Sequence, residues 1–168
     1  RALVLQPDVI VCDEPVSALD LSIQAQILNL LAATKAELGL SYLFISHDLS
    51  VVQYFADRVI VMYLGRVVES ADSRRIWARP RHPYTQALMS ATLSTVVGQK
   101  REHVPLRGEI PNPSKKPTKC VLSGRCPIEV DACSSWQVRL AQVADRHEVA
   151  CMRVEQEQKQ PVELGGGR

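Results

Sequence analysis

Apolar residues gather in short, dense blocks along the first part of the chain. Val9-Ile10-Val11-Cys12 and Tyr42-Leu43-Phe44-Ile45 are continuous runs without alternation, which predicts two strands buried on both faces. Arg58-Val59-Ile60-Val61-Met62-Tyr63 predicts a third strand. Between the first two, Ile23, Ile27, Leu30, Leu31, Thr34 and Leu38 recur at helical spacing, with Asp20 as the N-cap and Gly39 as the stop. Asp48 can cap a shorter helix over 49–56. The order strand, helix, strand, helix, strand implies a parallel sheet with right-handed crossovers, so the fold class is α/β. Leu64-Gly65 then turns the chain into Arg66-Val67-Val68-Glu69, an expected antiparallel edge. Two more helices are predicted, over 72–78 before Pro80 and over 83–95 with Pro83 at its first position.

Composition adds a boundary. The 168 residues carry a net charge of +2 and 46% apolar side chains, which is ordinary globular composition. Residues 1–97 hold 8 basic and 9 acidic side chains and residues 98–168 hold 12 and 9, too weak an excess to mark a nucleic-acid or anionic membrane surface. No stretch approaches the roughly 18 apolar residues of a membrane helix, and no export signal opens the chain, so the cytosol is the expected compartment. The start at Arg1-Ala2-Leu3-Val4-Leu5, without Met and already apolar, leads us to expect a piece of a longer protein. Five of ten prolines fall between Pro105 and Pro127, a density that excludes helix interiors and central strands. The organisation expected is therefore 1–97 as an α/β part, 98–154 as a loop-rich part bearing four cysteines, and 155–168 as a polar, disordered tail ending in Gly165-Gly166-Gly167.

The first chemical signal is the acidic pair Asp13-Glu14 at the exit of the first strand. Ligands of a parallel sheet bind at the carboxyl edge of its strands, where one Asp can hold Mg2+ and a neighbouring carboxylate can polarise water. Alone, such a pair reads as a solvated loop, Asp20 as a helix cap and His47 as a solvated histidine. The run Val9 to Asp20, with Asp13-Glu14-Pro15-Val16-Ser17-Ala18-Leu19-Asp20 at its end, resembles the Walker B strand and D-loop of ABC-type ATPases. Ile45-Ser46-His47-Asp48 resembles their switch histidine. The resemblance implies a partial P-loop NTPase core that uses ATP and Mg2+. Asp13 would aid the metal, Glu14 activate water and His47 sense the γ-phosphate. Ser17 and Asp20 would lie on the Mg-ATP and dimer face, towards a second ABC ATPase subunit.

No G-x-x-x-x-G-K-[ST] phosphate cradle occurs. Gly39 is the only glycine before Gly65, and no Lys-Ser or Lys-Thr follows the terminal glycines. The P-loop, Q-loop and signature motif are expected upstream of Arg1, so these residues are not expected to hydrolyse ATP unaided.

Val67-Val68-Glu69-Ser70, Arg79-Pro80-Arg81-His82-Pro83-Tyr84-Thr85-Gln86-Ala87-Leu88 and Leu106-Arg107-Gly108-Glu109-Ile110-Pro111 resemble the C-terminal extension of ATP-binding subunits of oligopeptide, dipeptide and nickel importers. That likeness implies transmembrane permease partners, indirectly an extracytoplasmic solute-binding protein, and a peripheral place on the cytoplasmic face of the inner membrane. No nucleic-acid partner is implied. The His82-Pro83-Tyr84-Thr85 block reads physically as a helix start with a packed tyrosine.

Cys12, in the first strand, reads as a small buried hydrophobe. Cys120, Cys126, Cys133 and Cys151 lie within 32 residues, separated by five, six and seventeen others. A segment this poor in core needs a cross-link or metal, and disulfides suit a reducing cytosol badly. Spacing alone leaves an iron-sulfur cluster, zinc or neither open, since paired C-x2-C knuckles are absent while Cys126-Pro127 echoes ferredoxin runs. The importer resemblance implies a [4Fe-4S] cluster on these four thiolates. His147 reads as solvated rather than as a competing ligand, and Arg125 with Lys115-Lys116 as a solvated face. Two other readings stay open. One is a non-catalytic metal-binding or interaction module. The other is an ABC-type ATPase of DNA repair or chromosome organisation, against which the low charge and the cysteine extension argue.

Overall fold

The computed structural model describes residues 2–91, 104–111 and 119–159. Residues 92–95 of the predicted helix, Lys115-Lys116 and the terminal glycines lie outside them. The chain is mixed α/β and divides into two compact units, Arg1–Ala56 and Asp57–Arg168. That boundary falls at the second helix rather than near residue 98.

In the first unit, strand β1 (Val9–Asp13) pairs in parallel with β2 (Ser41–Ile45), in register Val9 to Ser41 through Asp13 to Ile45. The crossover is helix α1 (Leu21–Leu38), and helix α2 (Leu49–Phe55) follows β2. The caps are those expected. Asp20 Oδ1 accepts the Ser22 and Ile23 N–H groups at 3.0 Å each, and Asp48 Oδ1 accepts the Ser50 N–H at 2.8 Å. Gly39 ends α1 at φ 65°, in the left-handed conformation that glycine adopts without a Cβ penalty.

The expectation of strands buried on both faces is corrected. Both strands alternate, with Val9, Val11, Leu43 and Ile45 exposed. Helices α1 and α2 pack on the same face: Leu28 and Val51 join Val16 in the core, with Ile27, Phe44 and Phe55 against them. Phe55 lies 5.0 Å from Phe44 and 5.8 Å from Tyr42, centroid to centroid. For the same reason Cys12 is half-buried rather than buried, and the predicted stripe on α1 is misplaced, with Leu30 and Leu38 exposed.

The second unit is built on an antiparallel sheet in the order β3-β4-β6-β5. Its strands are β3 (Arg58–Tyr63), β4 (Arg66–Asp72), β5 (Ala141–Ala144) and β6 (His147–Val149). The third strand of the expected parallel sheet is thus antiparallel, and the parallel sheet has two strands. Leu64 and Gly65, at φ 46° and 72°, form a tight hairpin whose twist suits antiparallel neighbours. Strand β4 is interior rather than an edge, because β6 pairs with its free side.

Helix α3 (Ser73–Ala78) and helix α4 (Pro83–Ser90) follow β4. Helix α5 (Met152–Lys159) occupies the start of the segment expected to be a disordered tail. Met152 and Val154 are buried, and Val154 packs with Val143 and Val149, which gives the helix an anchor that its polar composition conceals. Among the described residues no helix is long and apolar enough to cross a membrane.

Candidate functional site

Two groupings of chemically competent residues emerge, one in each unit. In the first, the parallel register of β1 and β2 brings their carboxyl ends together. Asp13 is the last residue of β1, and the Glu14 N–H donates to the Ile45 carbonyl at 3.0 Å. Glu14 sits at φ 47°, a left-handed conformation costly for a residue with a side chain. Its carboxylate meets His47, whose Nδ1 lies 2.8 Å from Oε1 and 2.9 Å from Oε2. That hydrogen bond, with the carboxylate charge behind it, pushes the His47 pKa up. His47 is 77% exposed and Glu14 36%. The pair therefore stands at the surface, beyond the strand ends. The Ser17 hydroxyl donates to the Glu14 carbonyl at 3.0 Å and stabilises the turn. Asp20 is occupied as a cap, taking the Ser22 hydroxyl at 2.6 Å besides its two N–H donors, and these bonds hold its pKa down. Strand register thus joins Glu14 and His47, and local turns hold Ser17 and Asp20.

In the second unit, Cys120, Cys126, Cys133 and Cys151 line one pocket of about 20 Å³ together with His82 and Trp136. All four thiols are free. Burial pushes the pKa of Cys120 and Cys151 up and that of Cys126 up to about 11, and the neighbouring sulfurs add to the effect. Four thiols, none in a disulfide, thus share one wall. Among the described residues, however, no three His, Cys, Asp or Glu side chains stand at metal-holding spacing.

His147 is corrected from a solvated histidine to a buried one. Its Nε2 lies 2.7 Å from Glu69 Oε1, and Glu69 is fully buried. The same carboxylate accepts the Arg81 N–H at 2.8 Å and the His82 N–H at 2.9 Å. Arg125 is corrected likewise: its guanidinium donates to the Tyr63 hydroxyl at 2.6 Å and to the Arg107 carbonyl at 3.2 Å. The packed tyrosine of the helix start is as expected, with Tyr84 against Tyr63 at 4.5 Å between centroids. Sequence reasoning passed over Glu69 and His82 as chemical groups. The available signal was a carboxylate inside the apolar run Val67-Val68-Glu69, since a buried charge demands partners.

Comparisons with known proteins agree with the resemblance. Residues 68–133 match the family described as the oligopeptide/dipeptide transporter, C-terminal region. The chain is 54% identical over 153 residues to a Brucella ovis protein described as a peptide import ATP-binding protein, covering 91% of this chain and 48% of that one. It is 49% identical over 158 residues to the dipeptide transport ATP-binding protein DppF of Escherichia coli, covering 94% of this chain and 47% of that one. The corresponding protein of Haemophilus influenzae is 48% identical over 155 residues, covering 92% and 47%. The chain spans about half the length of the curated relatives it matches. A crystal structure of an ATP-binding cassette of an ABC transporter in its ADP conformation matches with 27% identity and a TM-score of 0.44, covering 51% of this chain and 35% of that one.

Proposed function

We propose, from the membership of residues 68–133 in the oligopeptide/dipeptide transporter C-terminal family, that this chain is part of the ATP-hydrolysing subunit of a peptide-type ABC importer. The observation that carries the reading is the 2.8 Å contact of Glu14 with His47 at the ends of neighbouring parallel strands. A carboxylate and an imidazole so placed can polarise a water and hold it in line with a γ-phosphate. Asp13, one residue before, would hold Mg2+, while Ser17 and Asp20 would face the ATP and the dimer partner. Exposure of the pair supports a site completed by other protein surfaces: a phosphate cradle and a second ATPase subunit. Closure on ATP would then drive permease subunits at the cytoplasmic face of the membrane, with solute delivered by a separate binding protein.

The four thiols are the proposed holders of a [4Fe-4S] cluster, which would cross-link a loop-rich module short of core. Because burial keeps Cys120, Cys126 and Cys151 protonated, loading must displace protons and weakens as pH falls. An anaerobic preparation carrying stoichiometric iron and sulfide is the expected result; zinc without iron would end the cluster proposal.

Two experiments test the catalytic reading. Labelled ATP should not bind tightly to these 168 residues alone, and tight Mg-dependent binding would overturn the need for an added cradle. In a protein joining them to a P-loop and signature motif, Glu14→Gln should abolish turnover and leave ATP binding intact. Surviving turnover would remove Glu14 from its role.

A further inference from the structure

The contact of Glu14 with His47 fixes which ring nitrogen faces outward. Only Nδ1 meets the carboxylate, at 2.8 and 2.9 Å from its two oxygens. An ionised carboxylate accepts and cannot donate, so the shared hydrogen sits on Nδ1. Nε2 has no hydrogen-bond partner among the described residues, and the His47 side chain is largely exposed. Both ends of the contact are held by backbone. Glu14 is fixed through its N–H bond to the Ile45 carbonyl at 3.0 Å, and His47 by a turn in which the Ser46 hydroxyl accepts the Asp48 N–H at 3.1 Å. One ring nitrogen is therefore occupied, and the other is presented to whatever arrives.

This arrangement sets a condition on anion recognition. A neutral imidazole has a single ring proton, and Glu14 holds it on Nδ1. Nε2 then carries a lone pair, which cannot donate to a phosphate oxygen. Only a ring with both protons can keep Glu14 and donate to a phosphate at once. The charged groups facing the ring are carboxylates, Glu14 from the end of β1 and Asp48 at the head of α2. Asp20 is occupied as a helix cap, and among the described residues no bond reaches the ring from Asp13. The two facing carboxylates favour the doubly protonated ring, Glu14 more than Asp48, and push the His47 pKa up. One hydrogen serves one oxygen well, so the second Glu14 oxygen keeps its lone pairs for a water.

We propose that Glu14 also positions His47 and that the pair is proton-gated, engaging a γ-phosphate through the Nε2–H of the imidazolium and releasing it when that proton is lost. This rests on the reading of the pair as part of an ATP-hydrolysing site and adds a regulation of it: turnover falls as rising pH strips the Nε2 proton.

The test has two arms. In the 168-residue chain, 15N spectra of the imidazole followed over pH should show the neutral ring protonated at Nδ1 and bare at Nε2. Glu14→Ala should move that proton towards Nε2. A wild-type neutral ring with its proton on Nε2 would overturn the proposal, whether or not the variant folds. In a protein joining these residues to a P-loop and signature motif, kcat/KM for Mg-ATP should fall about tenfold per pH unit above the His47 pKa found in those spectra, because that limb reports a group of the free enzyme. His47→Gln keeps an N–H donor that does not titrate, so it should turn over more slowly and lack the limb. A wild-type profile flat through the His47 pKa, or the same limb in His47→Gln, would overturn the gate and leave the hydrolytic reading intact. If His47→Gln is inactive, the wild-type limb and the spectra decide. Turnover that survives Glu14→Gln would instead remove the hydrolytic reading, and the gate with it.

Discussion

The two units place their polar chemistry in opposite ways. In the first, Glu14 and His47 stand at the surface beside a sheet whose Val9, Val11, Leu43 and Ile45 are also exposed, over a core of Val16, Leu28 and Val51. In the second, Glu69, His82 and His147 are almost wholly buried, and each finds partners within the unit. A buried carboxylate must be satisfied locally or it unfolds its surroundings. An exposed one is free to act on what arrives from outside. The buried groups therefore serve architecture, and the exposed pair is where the proposed chemistry on a ligand would take place.

The largest effect separates the two carboxylates. Glu69→Ala leaves the His147 ring and two backbone N–H groups unpaired in the interior, and should cost about 3–5 kcal/mol in urea unfolding. Trp77 and Trp136, the only tryptophans, both lie in the second unit, so their fluorescence reports it selectively. Glu14→Ala should leave that transition unmoved, and amide exchange in the first unit should change little. Equal losses from the two substitutions would erase the contrast.

Next comes pH. The His82 pKa falls from 6.5 to about 4 on folding because burial penalises the charged ring. A depressed pKa means that the unfolded chain binds more protons between those values, so stability rises with pH across that window and is lost as pH falls through it. The effect is of order 3 kcal/mol between pH 4 and 6.5. The urea midpoint followed by tryptophan fluorescence should climb over this range in the wild type, and His82→Asn should flatten the climb. An unchanged slope in the variant would assign it to other groups.

The pattern of success along the sequence follows the range of the forces involved. Asp20, Asp48, Gly39 and Pro83 marked helix ends correctly because capping is settled within three or four residues. Glu14 and His47 each sit directly after a strand, so parallel pairing brings them together although their contact spans 33 residues of sequence. What failed depended on distant partners. Which face of β1 is covered depends on where α1 and α2 land, and the partner of β3 was decided by the hairpin at Leu64-Gly65. His147 meets Glu69 across 78 residues and Arg125 meets Tyr63 across 62, separations at which local composition carries no information. The convergence of four cysteines was visible as a cluster in sequence, but His82 in the same wall was not.

A smaller test examines whether the first unit depends on local rules, as its thin core suggests. At Gly39, φ 65° and open space around a would-be Cβ isolate the backbone penalty from any clash. Gly39→Ala should therefore cost about 1 kcal/mol, read from protection of the α1 amides in hydrogen exchange. A much larger loss would mean that the turn into β2 has partners beyond its own conformation.

The smallest effect on stability is also the most specific to the exposed pair. Glu14 raises the His47 pKa through a direct hydrogen bond first and through its charge second. Glu14→Gln removes the charge and weakens the bond, so the His47 pKa should fall back towards the ordinary value of 6.5, followed by NMR titration of the ring proton signals. In sign, the pair helps the folded state most below the unfolded histidine pKa, and that help fades as pH rises through the higher folded value. Because His47 is so open to water, the stability change should be undetectable beside that of Glu69. A His47 titration that ignores Glu14→Gln would mean the two side chains do not meet in solution, and the catalytic proposal would lose the contact on which it stands.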